Sequence, residues 1–226
     1  MESSDLRYQA RQTLAGKWGI AVLAGFLAAL LGGLVAGSGA GPNLNLEEEE
    51  LRHIPKVLLP YIMMLASIGG ILGIVRFIVG GPVKLGYCRF LLKMHDGEDA
   101  QVGDLFSRFD RFGDGFCLEL LTSLYIILWS LLFIIPGFIK AYAYAMAPFI
   151  LEENPNMTPS EAIKASRELM DGHKFELFCL YWSFFGWALL SVLTLGIGSL
   201  WLNPYMNAAT AAFYRSIAGR PEIIVE

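Results

Sequence analysis

The sequence predicts an all-α fold, a polytopic transmembrane helix bundle of about six spans, arranged as three pseudo-repeated hairpins with interfacial amphipathic leader helices. Three observations carry this expectation. The 226 residues are 55% hydrophobic and only 17% charged, with a mean hydropathy of +0.50, too apolar for a water-soluble domain of this length. Apolar runs near the roughly 20 residues of a bilayer crossing recur along the chain. Lys and Arg crowd into alternate connections, so their placement says more than the net charge of −4.

The first apolar run, Trp18 to Val35, follows Arg7, Arg11 and Lys17 and ends near Ala36-Gly37-Ser38-Gly39-Ala40. This imitates a cleavable secretory signal, but the apolar runs downstream favour an uncleaved first span. Gly37 to Lys56, with Pro42 and the acidic run Glu47 to Glu50, is a polar loop that cannot sit in lipid. Val57 to Val79 is the second span. The next segment, Pro82 to His95, mixes Leu85, Phe90, Leu91 and Leu92 with Lys84, Arg89 and Lys93. It reads either as an extension of span two past a Gly80-Gly81-Pro82 kink or as an amphipathic helix on the inner surface, the second being favoured. Phe116 to Leu151 is too long for one crossing and is broken by Pro136-Gly137, giving a hairpin of spans three and four. Phe175 to Tyr214, broken between Gly196 and Pro204, supplies spans five and six.

Basic residues precede span one and follow spans two, four and six, whereas the opposite connections hold only Arg52 and Lys56 beside four glutamates. The positive-inside rule then places both termini in the cytoplasm of a multi-pass protein of a bacterial plasma membrane.

An internal repeat accompanies the spans. Arg11, Gly16 and Trp18, then Arg108, Gly113 and Phe116, then Arg167, Gly172 and Phe175 each precede an odd-numbered span. Each unit later meets a proline followed by Tyr or Asn: Pro82 with Tyr87, Pro136 with Tyr142, Pro204 with Tyr205 and Asn207. Residues 1–226 thus form a single domain of three diverged copies, about 5–95, 103–154 and 158–219. In the third leader, Thr158-Pro159-Ser160-Glu161 is a capping box, and Ala162, Ala165, Leu169 and Met170 share a face opposite Lys164, Arg167 and Glu168. Such a helix suits an anionic inner leaflet.

The stretch Ile134-Ile135-Pro136-Gly137-Phe138-Ile139-Lys140-Ala141-Tyr142-Ala143-Tyr144-Ala145-Met146-Ala147-Pro148, followed by Asn154-Pro155, Glu161-Ala162-Ile163 and Met170-Asp171-Gly172-His173-Lys174, resembles the bacterial family known as domain of unknown function 975. Leu14-Ala15-Gly16-Lys17-Trp18, Gly81-Pro82-Val83-Lys84-Leu85-Gly86-Tyr87 and Asn203-Pro204-Tyr205-Met206-Asn207-Ala208 extend the resemblance over nearly the whole chain apart from the Gly37 to Lys56 loop. It implies a multi-span membrane protein, mostly of Gram-positive bacteria, with no established reaction and no catalytic residues to carry over. More loosely, the chain is similar to the membrane domains that accompany some glycerophosphodiester phosphodiesterases, a hint of lipid contact.

Polar groups at membrane depth are the places to look for function. Lys140 and Tyr144 are i, i+4, so an ammonium and a phenol point together near the outer leaflet, where they suit an anionic headgroup or carboxylate; a snorkelling lysine in an aromatic belt is the plainer reading. Asn203 and Asn207 share the same spacing and suit interhelical hydrogen bonds. Arg76 ends span two within reach of inner-leaflet phosphates, and Glu119 opens span three, where it could anchor at the surface or pair with Arg76. Gly33, Gly37 and Gly41, and Gly69 with Gly73, allow close helix packing within a chain, with a second copy, or with another membrane protein. Cys88, Cys117 and Cys179 lack metal or redox spacing, and no nucleotide loop, nucleophile and base pair or compact basic domain occurs. The expectation is a non-enzymatic protein without cofactor or nucleic-acid partner, which binds or transports lipid or a small amphipathic molecule; the alternative is a structural or regulatory scaffold, or a subunit of an export or immunity complex.

Overall fold

The computed structural model describes residues 3–32, 59–132, 134–194 and 196–219, and side chains outside 59–72 and 134. The acidic loop and the Gly33/Gly37/Gly41 pattern lie outside the described residues. Within them all regular structure is helical.

Helix α1 (Ser3–Leu14) buries Leu6, Ala10 and Leu14 at four-residue intervals. The chain then turns by 104° into α2 (Trp18–Leu31). Gly16 makes the corner at φ +77°, a conformation that costs a residue with a Cβ about 1 kcal/mol or more. The α2 face that packs inward is made of small residues, Ala21, Ala24, Gly25 and Ala28, and it ends in a left-handed cap at Gly32.

Helix α3 (Leu59–His95) runs 37 residues without a break, about 55 Å, with Pro82 inside it. The surface helix favoured for Pro82 to His95 is therefore corrected: this segment continues the helix of the second apolar run, and Val83, Leu85, Tyr87, Cys88, Phe90, Leu91 and Met94 are all buried. The basic residues that suggested a solvated face are turned toward carboxylates instead. Lys84 pairs with Glu119 at 3.0 Å and Lys93 with Asp104 at 2.8 Å, while Arg89 stands 3.7 Å from Asp104 and 3.8 Å from Glu152. Glycines permit the burial: a Cβ on Gly81 would lie 2.3 Å from the Gly115 carbonyl oxygen, and one on Gly86 2.1 Å from that of Leu105.

Two 3₁₀ turns, Val102–Phe106 and Phe109–Arg111, lead into α4 (Phe112–Leu132), which folds back on α5 (Ile134–Tyr144). The antiparallel register is marked by Tyr125 against Tyr144, ring centroids 6.1 Å apart, and by Trp129 under Lys140. The predicted hairpin is present, but Pro136 does not form its turn. It sits in the first turn of α5, where a missing N–H costs little. At 11 residues, about 16 Å, α5 is half a bilayer crossing, and after Ala145-Met146 the chain bends into the wholly buried part of α6 (Ala147–Glu153).

Helix α7 (Pro159–Leu169) starts as predicted. The Thr158 N–H donates to Glu161 at 2.8 Å, and Ala162, Ile163, Ser166 and Met170 face inward with Lys164, Arg167 and Glu168 outward. Gly172, at φ +84°, makes the second corner of the Gly16 kind. Gly113, the third glycine of the repeat, lies inside α4 instead.

Helices α8 (Lys174–Trp182) and α9 (Phe185–Leu193) run antiparallel to α10 (Ser199–Ala218). Phe184 meets Tyr205 edge-on at 5.0 Å, and Tyr181 and Thr210 share a hydrogen bond of 3.3 Å.

One core cluster joins these elements apart from α9 and the turn Phe109–Arg111. It is densest where α1, the turn Val102–Phe106 and α6 pack on the C-terminal half of α3 and the segment Tyr205 to Tyr214 of α10, with α7 covering α6. Away from this base, the hairpin arms expose Leu124, Ile127, Leu131, Phe138, Leu189 and Val192. Val102–Leu132 and Lys174–Leu193 are long and apolar enough to cross a membrane, and the bent pair α1 and α2 would make a third such segment.

Candidate ligand recesses at the leader and hairpin junctions

The base is electrostatically closed. Arg108 Nε donates to both oxygens of Glu152 at 2.9 and 2.8 Å, and Glu152 is only 6% exposed. Burial pushes the Glu152 carboxyl up, against the pull of Arg108, Arg89 and Arg111, while the hydrogen bond to Glu152 raises Arg108. Asp104 is also pushed up by burial, but the Lys93 hydrogen bond, the Gln101 N–H and the charges of Lys93 and Arg89 outweigh this and hold it below the ordinary carboxylate range. Arg215 reaches both Asp96 and Glu153, and Tyr214 donates to Glu153. Lys84, Arg89, Lys93, Arg108, Arg111 and Arg215 thus each face a carboxylate, as buried charge requires.

Lys140, Lys164 and Arg167 are different. Among the described residues none of them has an ion pair. They converge on a recess of about 410 Å³ between the α4/α5 hairpin and α7, walled also by Tyr125, Trp129, Tyr144, Ser160 and Ile163. Lys140 and Tyr144, four residues apart on α5, line the same space. Lys140 Nζ stands 4.8 Å from the centroid of the Trp129 ring, a cation–π contact. Ser166 Oγ donates to the Ala143 carbonyl at 2.8 Å and fastens α7 to α5 there. Lys140 was expected near the outer leaflet and the leader helix at the inner one. The shared recess corrects this: α5 is so short that Lys140 stands at the level of α7. On its other side Lys140 opens on a recess of about 250 Å³ with Arg167, Glu168, Asp171 and Lys174, where Lys174 and Asp171 are paired at 3.2 Å.

Of the other predicted residues, two share a recess without pairing. Arg76 and Glu119 line a recess of about 200 Å³, but the ion pair of Glu119 is with Lys84, and the Arg76 side chain lies over Gly32. Asn207 is fully buried and its side-chain amide donates to the Asn203 backbone carbonyl at 2.7 Å, a link within α10. Cys88, Cys117 and Cys179 are free thiols.

Sequence reasoning missed a groove of about 650 Å³ between the first leader and the third hairpin, lined by Arg11, Trp18, Trp187, Trp201, Tyr205 and neighbours. Arg11 and Trp18 were visible as repeat residues, but their partners lie some 170 to 195 positions away, and no local spacing links them. The Arg11 Nε donates to the Tyr205 hydroxyl at 3.0 Å.

No curated protein and no solved structure matches the chain. Residues 131–221, less than half of the chain but including Lys140, Tyr144, Lys164, Arg167 and the third hairpin, match the sequence model of the family described as protein of unknown function (DUF975), the family that the motifs resemble.

Proposed function

We propose that this protein is a non-enzymatic integral membrane protein that holds an anionic amphiphile, a lipid with a phosphate-bearing headgroup, in the Lys140 recess. The observation that carries the reading is the convergence of three unpaired cations, Lys140, Lys164 and Arg167, in a protein whose other recess-lining and basal cations are mostly matched by carboxylates. Uncompensated cations are retained at a cost in mutual repulsion unless an anion completes the site. Tyr125 and Tyr144 add hydroxyl groups to the same wall, and just beyond them Ile127, Leu128, Leu131, Ile135 and Phe138 are exposed, a surface suited to acyl chains.

In this reading the hairpins enter the bilayer from the cytoplasmic face, with both termini and the basic base on that side. The antiparallel arms α4/α5 and α8–α9/α10, together with α2 packed on α3, support the six-span expectation. Native mass spectrometry of the wild type beside Lys140→Ala in mild detergent tests the assignment. A retained phospholipid lost from the variant supports it; the same complement of lipid on both proteins overturns it.

A scaffold role is the second reading, favoured by one observation. Phe175, Phe178, Trp182 and Phe185 form an exposed stacked ladder along α8 and α9, with centroids 6.0, 6.0 and 5.1 Å apart. Membrane partners of this kind would be lost from a Phe178→Ala/Trp182→Ala variant whose lipid content is unchanged.

A further inference from the structure

We propose that the groove between the first leader and the third hairpin is a second ligand site, separate from the Lys140 recess, for a single-chain amphiphile with a carboxylate head. Its volume, about 650 Å³, is well inside the range of roughly 300–1,000 Å³ typical of small-molecule sites. Three of the chain's five tryptophans, Trp18, Trp187 and Trp201, form its walls together with Leu190. Its polarity is graded. At one end stands Arg11, its guanidinium carbon 5.7 Å from the centroid of the Tyr205 ring and its Nε held by the Tyr205 hydroxyl at 3.0 Å. At the other end the hydroxyls of Ser191 and Thr194 are already committed to the carbonyls of Trp187 and Ser191.

Arg11 is thus the one cation on the groove wall among the described residues, and no carboxylate lines it there. A guanidinium fixed at Nε presents a planar pair of N–H groups that fits one carboxylate. One cation balances one negative charge, and the aromatic walls accept one hydrocarbon chain. Both concavities lie where a leader meets a hairpin, α7 against α4 and α5 in one and α1 against α9 and α10 in the other.

The test is titration of 9,10-dibromostearate into the detergent-solubilised full chain carrying Trp129→Phe and Trp182→Phe, so that the three groove tryptophans alone report. Bromine quenches indole fluorescence on contact. The expected result is saturable quenching, relieved by oleate but not by oleyl alcohol, and weakened about 10- to 100-fold in Arg11→Gln. Quenching that rises without saturation, or that oleate and oleyl alcohol relieve equally, overturns the proposal. Because Arg11 also ties α1 to α10, the alcohol comparison on the unaltered Arg11 protein decides the matter even if Arg11→Gln does not fold.

Discussion

Arg108 and Arg167 hold the same place in the Arg, Gly, aromatic spacing that precedes two of the hairpins, yet they do opposite work. Arg108 is clamped on both oxygens of a buried carboxylate, while Arg167 lies exposed beside Lys140 and Lys164 with no ion pair among the described residues. Arg11, the third of the series, lies between these extremes, held by a phenol. Motif position thus does not decide whether a cation is structural or available. What decides is whether the element packed against it brings a carboxylate, as α6 does with Glu152 and α5 does not.

The largest expected effect breaks the closed side of this comparison. Arg108→Ala leaves Glu152 buried without its bidentate partner and should cost about 3–5 kcal/mol, read as loss of thermal stability in detergent. Arg167→Ala should change stability by no more than about 0.5 kcal/mol, because its side chain is exposed and holds no ion pair. Equal losses in the two variants would erase the distinction.

On the open side, Lys140→Ala should weaken phospholipid retention about 10- to 100-fold, measured by lipid titration in native mass spectra, by removing a charge-assisted contact. Thr158→Ala removes the cap that starts α7 and should cost about 1 kcal/mol, with the recess loosened before the base melts; hydrogen exchange in 159–169 rising ahead of that in α3 would show it. The smallest effect concerns pH. Asp104 has its carboxyl lowered in the folded state, so its contribution is fully present above the unfolded value of about 3.9 and is lost as pH falls through the lower folded value. The stability difference between wild type and Asp104→Asn should accordingly be constant from pH 7 to about 5 and shrink only below about 4. A difference that disappears already near pH 6 would show that another group governs the Lys93 contact.

Helix identity and the hairpin at Phe116 to Leu151 were legible because apolar length and capping chemistry act within a few residues. The Thr158 box and the shared face of Lys140 and Tyr144 were legible for the same reason. Pro82 to His95 was misread since amphipathic periodicity reports that charged groups lie to one side, not what they meet there. Glu119, Asp104 and Glu152 come from three different elements, and their approach depends on Gly81 and Gly86 allowing backbones within reach. The level of Lys140 was misjudged because a proline marks a break without saying on which side of it the chain reverses.

By itself the sequence determined that the chain is helical and strongly apolar, with a capped helix at Thr158, since propensity, hydrophobic length and capping chemistry are local properties. Only the tertiary structure decided which cations are neutralised and which remain open, and that Arg11 meets Tyr205 across nearly the whole chain. The physical reason is that charge pairing and cavity walls depend on distances between elements remote in sequence, which the packing of small residues at the helix crossings sets.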